Sequence, residues 1–415
     1  MIKKGKVFLL AVVLLLAFAQ VAFPALTAVG PTNPANGFPF WFRSSTGQNV
    51  TLSVPPNAVS IPDPVIPGNA FSAQIGFGSE AMYWHSTAII DPLPTGGGQA
   101  LLVLALEAAF GGGDAAPNDQ IVFARVRVRI DTPVAGTYTV THPYGTNTFT
   151  VDPADVGTRA INFTSDVGIG APGDFSGALN GQIDPFLVQA GFEANPNFFG
   201  DAGTLTTVTG SPTGNNFFRV EGPPGFVAAQ TDQFVTGGEK FAGTPFTIGR
   251  TTYTKDAVNG AFAEVFVTEP APITPGVQIS ARVRPAPGAR LTRSGLGFFG
   301  RFPFDGVVPD QVVVTGRING AQNTVLKQTI VDVVTITKAQ YSVGTQTLTI
   351  AAVSSDSVGP LTLRAFGWPQ ATQAGQLLNA GGADTVFAGV PIAPASVEVR
   401  SSMGGSSTLA VTVLP

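Results

Sequence analysis

Short runs of alternating apolar and polar residues, separated by turn residues, recur along most of the chain. In 120–130 apolar side chains mostly alternate with Arg125, Arg127 and Arg129, which is the period of a half-buried strand. The segment 100–110 is rich in leucine and alanine, but glycine runs flank it, and we interpret it as a buried strand. Further runs of this kind are 49–54, 136–142 and 146–152. The pattern predicts an all-β protein with many short strands.

The C-terminal part of the chain contains an internal repeat. FTIGRTTY at 246–253 matches VTITKAQY at 334–341, and the pairs VQISARVRP with LTLRAFGWP and PDQVVVTG with PASVEVRS follow in the same order. An ordered series of this kind predicts two tandem domains, 246–333 (the first repeat) and 334–415 (the second repeat). Each has a length typical of an immunoglobulin-like (Ig-like) β-sandwich. The Cys…Trp…Cys pattern of antibody domains is absent, because the chain contains no cysteine.

The sequence before the repeats predicts a leader and a larger domain. Residues 20–36 are rich in Pro, Ala and Asn and predict a flexible leader. Residues 37–245 predict an N-terminal domain that resembles a β-sandwich but is too long for a single Ig-like unit. We expect either an elaborated sandwich or two units that the sequence does not separate.

The first residues of the chain predict export. MIKKGK is positively charged, VFLLAVVLLL is apolar, and small residues follow, which are the three parts of a secretory signal peptide. Ala17-Phe18-Ala19 predicts cleavage before Gln20, so that the signal peptide is 1–19. The apolar run is shorter than the ~20 residues of a membrane-spanning helix, and an uncleaved anchor is the less favoured alternative. We expect a secreted, cell-surface or periplasmic protein with no membrane span after cleavage.

Composition and charge narrow the function classes. The chain has 31 Phe and only 12% charged residues, which favours a folded protein over a disordered Gly/Pro-rich one. The formal net charge is −4, and loss of Lys3, Lys4 and Lys6 with the signal peptide makes it −7. The remaining lysines are scattered, so we expect no nucleic-acid partner. The three arginines of 120–130 are expected to form a solvated sheet surface, with an anion-binding patch as the alternative.

The residues that support catalysis or metal binding are sparse. The two histidines, His85 and His142, are far apart in sequence, and the G-x-S-x-G pattern of hydrolase nucleophiles does not occur. Close carboxylate pairs occur in VDPADVG (151–157) and FDGVVPD (304–310), but neither matches a calcium-binding EF-hand loop. We expect no catalytic residue and no cofactor, and a structural Ca²⁺ at one of these turns is left open.

Aromatic clusters are the remaining candidates for a binding surface. FPFWF occupies 38–42, and GFFGRFPF occupies 297–304 in the first repeat, where the second repeat has GGADTVF. In that alignment Phe302 and Phe387 are expected to be the shared core residues. The other phenylalanines either pack against a neighbouring domain or form an exposed apolar patch that binds a partner. The candidate binding residues are Trp41, Phe42, Phe298, Phe299 and Phe304.

Three stretches carry a resemblance to known proteins. NGFPFWF…GQNVTLSV, DQIVFARVRVRIDTPVAGTYTVTHPYGTNTF and SSMGGSSTLAVTVL resemble a group of uncharacterised exported bacterial β-rich proteins with C-terminal Ig-like repeats. The resemblance implies a bacterial, exported, β-rich protein, and it implies no activity and no catalytic residues.

The expected function is therefore binding rather than catalysis. The leading hypothesis is a non-enzymatic extracellular structural or adhesive protein, in which the N-terminal domain makes the specific contact and the repeats act as a stalk. A carbohydrate- or polymer-binding protein is the first alternative, and a hydrolase of unrecognised type is the second. The expected partner is a protein or polymer at the cell surface, and self-association through strand edges or apolar surface is a further option.

Overall fold

A computed structural model describes residues 25–54, 62–318 and 322–415. The predicted signal peptide, 1–19, lies outside the described residues. Strands make up 49% of the structure and helices 4%, and the strands form several sandwich-type sheets. The prediction of an all-β protein is confirmed.

The N-terminal domain is built on two main antiparallel sheets. The larger sheet has the strand order β1-β2-β3-β15-β4-β5-β6-β9, with β11 also beside β15, and the smaller has the order β14-β13-β7-β8. Strands β10 and β12 form a separate pair. A short helix, α1 (Ala70–Ile75), and a 3₁₀ turn at Ser176–Asn180 complete the domain. The strands are β1 (Ala28–Val29), β2 (Phe42–Arg43), β3 (Asn49–Thr51), β4 (Glu80–Ile90), β5 (Ala100–Phe110), β6 (Gln120–Thr132), β7 (Gly136–His142), β8 (Gly145–Val151), β9 (Gly157–Val167), β10 (Val188–Gln189), β11 (Leu205–Thr206), β12 (Val208–Thr209), β13 (Phe218–Glu221), β14 (Ala229–Thr231) and β15 (Phe234–Lys240).

A single connected core lies between these sheets. It extends along the chain from Leu26 to Phe234 and contains Leu104 of β5 together with Tyr138 and Val140 of β7. Alternate residues of these strands point into the core, because successive side chains of a strand lie on opposite faces. One shared core favours an elaborated sandwich over two separate units.

The expectation of a flexible leader over 20–36 is wrong for 25–36. Leu26 is buried in the core, and β1 pairs with β2 in antiparallel register, Ala28 opposite Arg43. Burial of an apolar side chain and ladder hydrogen bonds outweigh the Pro- and Asn-rich composition on which the expectation was based. Residues 20–24 lie outside the described residues.

The first repeat contains two facing sheets. One has the order β20-β21-β17-β16-β24 and the other the order β19-β18-β22-β23. Their inward-facing residues form one core cluster around Tyr253, Ile279 and Val314. The strands are β16 (Thr247–Asp256), β17 (Gly260–Thr268), β18 (Gln278–Val283), β19 (Ala289–Arg290), β20 (Thr292–Ser294), β21 (Gly297–Pro303), β22 (Gln311–Arg317), β23 (Thr324–Thr329) and β24 (Val331–Asp332).

The second repeat has the corresponding two sheets, with the orders β29-β26-β25-β32 and β28-β27-β30-β31. Its core cluster surrounds Tyr341, Ala365 and Val399. A 3₁₀ turn at Ala380–Gly382 precedes β29. The strands are β25 (Val334–Ser342), β26 (Thr347–Ser354), β27 (Leu363–Phe366), β28 (Gln376–Leu377), β29 (Thr385–Phe387), β30 (Ser396–Ser401), β31 (Ser406–Ala410) and β32 (Thr412–Leu414).

The first strands of the two repeats share irregular as well as regular features. The register of β16 against β17 shifts between Ile248 and Arg250, and the register of β25 against β26 shifts between Ile336 and Lys338, which is the same position of the aligned sequences. A bulge of this kind increases the local twist of a strand. The last strand of each repeat, β24 or β32, then pairs with the first in parallel.

A matching row of residues crosses each repeat. In the first repeat Tyr253 lies opposite Ala263, which lies opposite Phe302. In the second repeat Tyr341 lies opposite Leu348, which lies opposite Phe387. The sequence alignment placed the two phenylalanines at corresponding positions, and the strand registers agree with it.

Candidate functional site

The five candidate binding residues fall into buried and exposed groups. Trp41 and Phe42 are buried in the N-terminal domain, where the ring of Phe42 packs edge-on against Tyr83 with 5.0 Å between centroids. Phe298 and Phe304 are buried in the core of the first repeat. These four side chains therefore form no exposed aromatic surface. They are buried because each lies on the core side of its domain, and the proximity of aromatic residues in the sequence does not reveal on which side a residue lies.

Phe299 is the exposed member, with 38% of its side chain accessible. It lies between Phe298 and Gly300 on β21, and strand alternation turns it outward while Phe298 turns into the core. Its register partner on β17 is Phe266, and the two rings lie 4.9 Å apart at an angle of 44°. Phe299 thus belongs to a pair that continues across the sheet.

Two arginines flank this aromatic pair and its neighbour Phe262. The guanidinium of Arg250 lies 4.1 Å from the ring centre of Phe266, and that of Arg301 lies 4.0 Å from the ring centre of Phe262. Stacking of a guanidinium on an aromatic face is favourable and keeps the cation in a fixed position. The outward surface of β16, β17 and β21 that these side chains form is named the aromatic face, and its members are Arg250, Phe262, Phe266, Phe299 and Arg301.

The aromatic face offers apolar area edged by the positive charges of Arg250 and Arg301, and a carboxylate oxygen of Glu264 lies 3.8 Å from Arg301. Such a surface suits a partner that presents an apolar patch together with polar or acidic groups. The clustering of aromatic residues in the sequence indicated Phe299 but not Phe262, Phe266 or the two arginines. Alternation along FAEVFV would have placed Phe262, Glu264 and Phe266 on one side of their strand.

A buried charge cluster lies on the large sheet of the N-terminal domain. Arg125 on β6 forms two hydrogen bonds to Asp166 on β9, at 2.7 and 2.8 Å, and its other nitrogen lies 2.7 Å from Glu107 on β5. Arg125 is buried, so the expectation of a solvated sheet surface is wrong for this arginine. Its two carboxylate partners compensate the cost of removing the guanidinium from water.

Glu107 is the least accessible member of that cluster, with 1% exposure. Burial raises the pKa of Glu107 to about 7, and the positive charge of Arg125 opposes the rise. A carboxyl group with such a pKa has the acidity of a general acid. Its burial keeps a substrate from reaching it in this conformation.

The two histidines occupy separate places in the N-terminal domain. Burial lowers the pKa of His85 to about 4, and burial also lowers the pKa of His142. His142 Nε2 lies 2.9 Å from the amide oxygen of Asn147. Within the described residues neither ring contacts a carboxylate, so the two do not form the base–orienter pair of a catalytic triad.

The described part of the chain contains no cluster of three or more His, Asp or Glu side chains placed to hold a metal ion. No described helix has the length and apolar character needed to cross a membrane.

Backbone hydrogen bonds connect the two repeats. The Lys255 N–H donates to the carbonyl of Ser355 (2.9 Å), and the Ser357 N–H donates to the carbonyl of Lys255 (3.0 Å). The Ser355 hydroxyl donates to the carbonyl of Tyr253 (2.5 Å). Residues 355–357 thereby add a short parallel bridge to the edge of β16, which fixes the second repeat against the first.

Two buried aspartates complete this junction. Asp332 at the end of β24 accepts hydrogen bonds from the Ser354 hydroxyl (2.5 Å) and the Gly405 N–H (2.9 Å), both in the second repeat. The Tyr253 hydroxyl donates to Asp356 across the boundary (3.0 Å). Burial raises the pKa of Tyr253, and the bond to Asp356 adds to the rise, so the hydroxyl stays a donor. A Cβ at Gly405 would lie 2.3 Å from the Asp332 carbonyl oxygen, and this approach requires glycine.

Comparison with known proteins gives only distant similarities. No family model matches the chain, and no curated protein matches it. Among solved structures, a tri-modular GH5 endo-β-1,4-glucanase from Bacillus licheniformis complexed with cellotetraose is 11% identical, with a TM-score of 0.16. The match covers 41% of this chain and 38% of the glucanase. The 47-kilodalton lipoprotein Tp47 of Treponema pallidum is 9% identical over 67% of this chain and 86% of its own, with a TM-score of 0.19.

A third similar structure contains immunoglobulin domains 1–5 of Sidekick-1. It is 10% identical over 79% of this chain and 77% of its own, with a TM-score of 0.14. Similarities at this level carry no argument about function, which has to come from the surfaces and junctions of the molecule itself.

Proposed function

We propose that the protein is an exported, non-enzymatic extracellular structural or adhesive protein, located at the cell surface, in the periplasm or in the medium. The N-terminal domain makes the specific contact, and the two repeats act as a stalk. The observation that carries this proposal is the junction between the repeats. A stalk has to hold its domains in one orientation, and the backbone bonds of Lys255 with the buried Tyr253–Asp356 pair supply that constraint.

A second contact supports the same role at the other end of the first repeat. The Arg43 side chain of the N-terminal domain donates to the carbonyls of Ala271 (2.7 Å) and Pro272 (3.3 Å). Arg43 is buried, and burial lowers its pKa while the charge of Glu269 opposes that change. Separation of the two domains would break these hydrogen bonds, and this cost stabilises their contact.

Polymer or carbohydrate binding is the second candidate function, and the aromatic face favours it. Phe299 and Phe266 present apolar area beside Arg250 on an accessible sheet surface. A hydrolase has less support. The carboxyl group with a pKa in the range of a general acid, Glu107, is buried against Arg125.

Two deletions test the proposed function. Removal of 37–245 should abolish retention of the protein on its surface or matrix partner. Removal of 246–415 should leave partner binding by the N-terminal domain but weaken retention in intact cells. Fractionation with pull-down from the producing cells provides the measurement. Turnover of a polysaccharide, ester or peptide that a single Asp, Glu or His substitution abolishes would contradict the proposal.

A further inference from the structure

The second sheet of the first repeat carries a concentration of positive charge that is not visible along the sequence. Its four strands, β19, β18, β22 and β23, direct one set of alternate side chains outward. Five exposed cations lie on this surface or directly beyond its strand ends. The surface is named the basic face, and its cations are Arg282, Arg284, Arg290, Arg317 and Lys327.

Strand register sets the spacing of these cations. Arg282 on β18 lies opposite Val313 on β22, which lies opposite Lys327 on β23, so the two charges are separated by two strand spacings. Neighbouring strands lie roughly 4.8 Å apart, which places the backbones of Arg282 and Lys327 about 10 Å from one another.

The other three cations extend the basic face along the strand direction. Arg290 lies opposite Ser280, and Arg317 lies opposite Gln278, in the rows on one side of the Arg282 row. Arg284 follows two residues after Arg282 on the other side. The positive charges therefore form a band that runs over four successive rows of the sheet.

None of these five cations forms an ion pair or a side-chain hydrogen bond with the described residues. Arginines elsewhere in the molecule do so. Arg293 pairs with Glu269, and Arg400 forms two hydrogen bonds of 2.8 Å to Glu398. The donors of the basic face are free for a ligand.

A groove of about 1090 Å³ lies at one end of the basic face. Arg282, Arg284 and Lys327 line one part of it, and the loop that contains Asp305 and Asp310 lines the other. The acidic loop limits the positive potential at the Arg284 end. The opposite end of the basic face, at Arg317, adjoins the N-terminal domain, where Ile318 lines a smaller cleft with Arg43.

We propose that the basic face binds an acidic polysaccharide. Guanidinium groups form paired hydrogen bonds with carboxylates, and a linear polymer with regularly spaced acidic groups can engage several rows of the sheet. The overall negative charge of the chain repels a polyanion at long range, so attraction depends on this local band of cations. This inference extends the proposed function, because it gives the first repeat a ligand in addition to a place in the stalk.

The shape of the basic face disfavours nucleic acid as the ligand. A flat four-stranded surface does not enter the major groove of duplex DNA, which admits a helix or a two-stranded ribbon. Single strands are held by stacking on aromatic side chains, and the outward positions of β18, β22 and β23 carry none.

The equivalent surface of the second repeat supplies a matched control. Its sheet of β28, β27, β30 and β31 presents Arg364, which donates to the carbonyls of Ala374 and Gly375, and Arg400, which pairs with Glu398. Both arginines are exposed, yet both have partners within the repeat. Charge removal at these two positions changes the net charge by the same amount as removal at Arg282 and Lys327.

The experiment measures binding of the purified full-length protein to polygalacturonate, with neutral dextran and duplex DNA as comparison ligands. The test variant is Arg282→Gln with Lys327→Gln, and the control variant is Arg364→Gln with Arg400→Gln. Thermal unfolding of both variants verifies that the fold is retained. We expect the wild type and the control to bind polygalacturonate and not dextran. We expect affinity to fall as salt rises from about 50 mM to about 200 mM, as for other polyanions that release counterions.

The test variant should bind polygalacturonate at least about tenfold more weakly, the loss expected for two charge-assisted contacts. Equal loss in the test and control variants would overturn the proposal, because the effect would then follow from net charge alone. Absence of polygalacturonate binding by the wild type would also overturn it. So would tighter binding of duplex DNA through the same two residues. Any of these results leaves the stalk proposal intact, because the junction does not involve the basic face.

Discussion

Strands β16 and β25 begin the two repeats, and their comparison separates the framework of the fold from its surfaces. Both strands contain the bulge, and both carry a buried tyrosine, Tyr253 or Tyr341, in the same row. The exposed side chains directly after the bulge differ between the repeats. Arg250 stacks on Phe266, whereas its counterpart Lys338 pairs with Asp384 at 2.6 Å. The core positions are thus repeated, and the exposed positions have diverged.

The strand edges show the same division. Tyr253 lies beside Asp332 of β24, and Tyr341 lies beside Val413 of β32, at equivalent positions of the parallel pairs. Asp332 is buried and bonded to the second repeat, whereas 53% of Val413 is exposed. The first repeat therefore differs from the second on its edge and on both outer faces, and these are the places where contacts with other domains or ligands are expected.

The largest predicted loss of stability comes from truncation of the phenylalanines at corresponding positions of the two repeats. Phe302→Ala should destabilise the first repeat by about 3–5 kcal/mol, because the ring is buried beside Leu291 and Gly300. Phe387→Ala should cost the second repeat about 1–2 kcal/mol, because its ring is half-buried against Trp368. Hydrogen exchange of β21 and β29 in the full chain measures the two repeats separately. Equal loss of protection would show that the shared row does not differ in burial.

The second prediction compares the two tyrosine hydroxyls. Tyr253→Phe removes a donor from the buried Asp356 carboxylate and should cost about 1.5–3 kcal/mol, the range for hydrogen bonds to charged groups. Tyr341→Phe removes a donor from the Val390 carbonyl and should cost about 1 kcal/mol. Hydrogen exchange should show that Tyr253→Phe loosens β16 and 355–357 together. Loss confined to one repeat would contradict the coupling.

The third prediction compares the ion pair of Arg125 and Glu107 in the N-terminal domain with the Lys338–Asp384 pair of the second repeat. The first pair is buried and the second is exposed. The pKa of Glu107 is raised from 4.5 to about 7. Between pH 4.5 and about pH 7 the folded state therefore keeps a proton on this carboxyl group that the unfolded state has lost. Stability from this group is present below pH 4.5 and is lost as pH rises through about 7. Glu107→Gln should flatten that decline by at most about 1.4 kcal/mol per pH unit, measured by denaturant unfolding across this range. An unchanged pH slope would contradict the assignment.

The smallest predicted effect concerns the bulge positions. Lys338→Gln breaks an exposed ion pair and should cost about 0.5 kcal/mol, an effect that high salt removes. Arg250→Gln uncovers the ring of Phe266 and should cost a similar amount, about 0.5–1 kcal/mol, that persists in salt. Thermal unfolding at low and high salt distinguishes the two. Identical salt dependence would mean that Arg250 acts as a simple surface charge.

Much of the fold could be predicted from the sequence, because strand alternation and turn residues are local signals. The match between FTIGRTTY and VTITKAQY placed the two tyrosines in corresponding rows. The expectation of a flexible leader was wrong for 25–36, because composition does not reveal that Leu26 is buried in a core formed by residues distant in sequence. Tertiary packing determines the conformation of that segment.

The candidate sites were harder to predict, because exposure and register depend on pairing between strands. Phe298 and Phe299 are adjacent in sequence and lie on opposite faces of β21. Arg282 and Lys327 are far apart in sequence and meet only through β22. The basic face could be recognised only once the strand registers were known.

A distance measurement between the two repeats shows whether they are rigidly coupled. The chain contains no cysteine, so Gln278→Cys and Ser396→Cys introduce two unique spin-label sites on exposed strand positions of the two repeats. Pulsed electron paramagnetic resonance should give one narrow distance distribution, and Tyr253→Phe with Asp356→Asn should broaden it. A broad distribution in the otherwise unchanged protein would contradict the account.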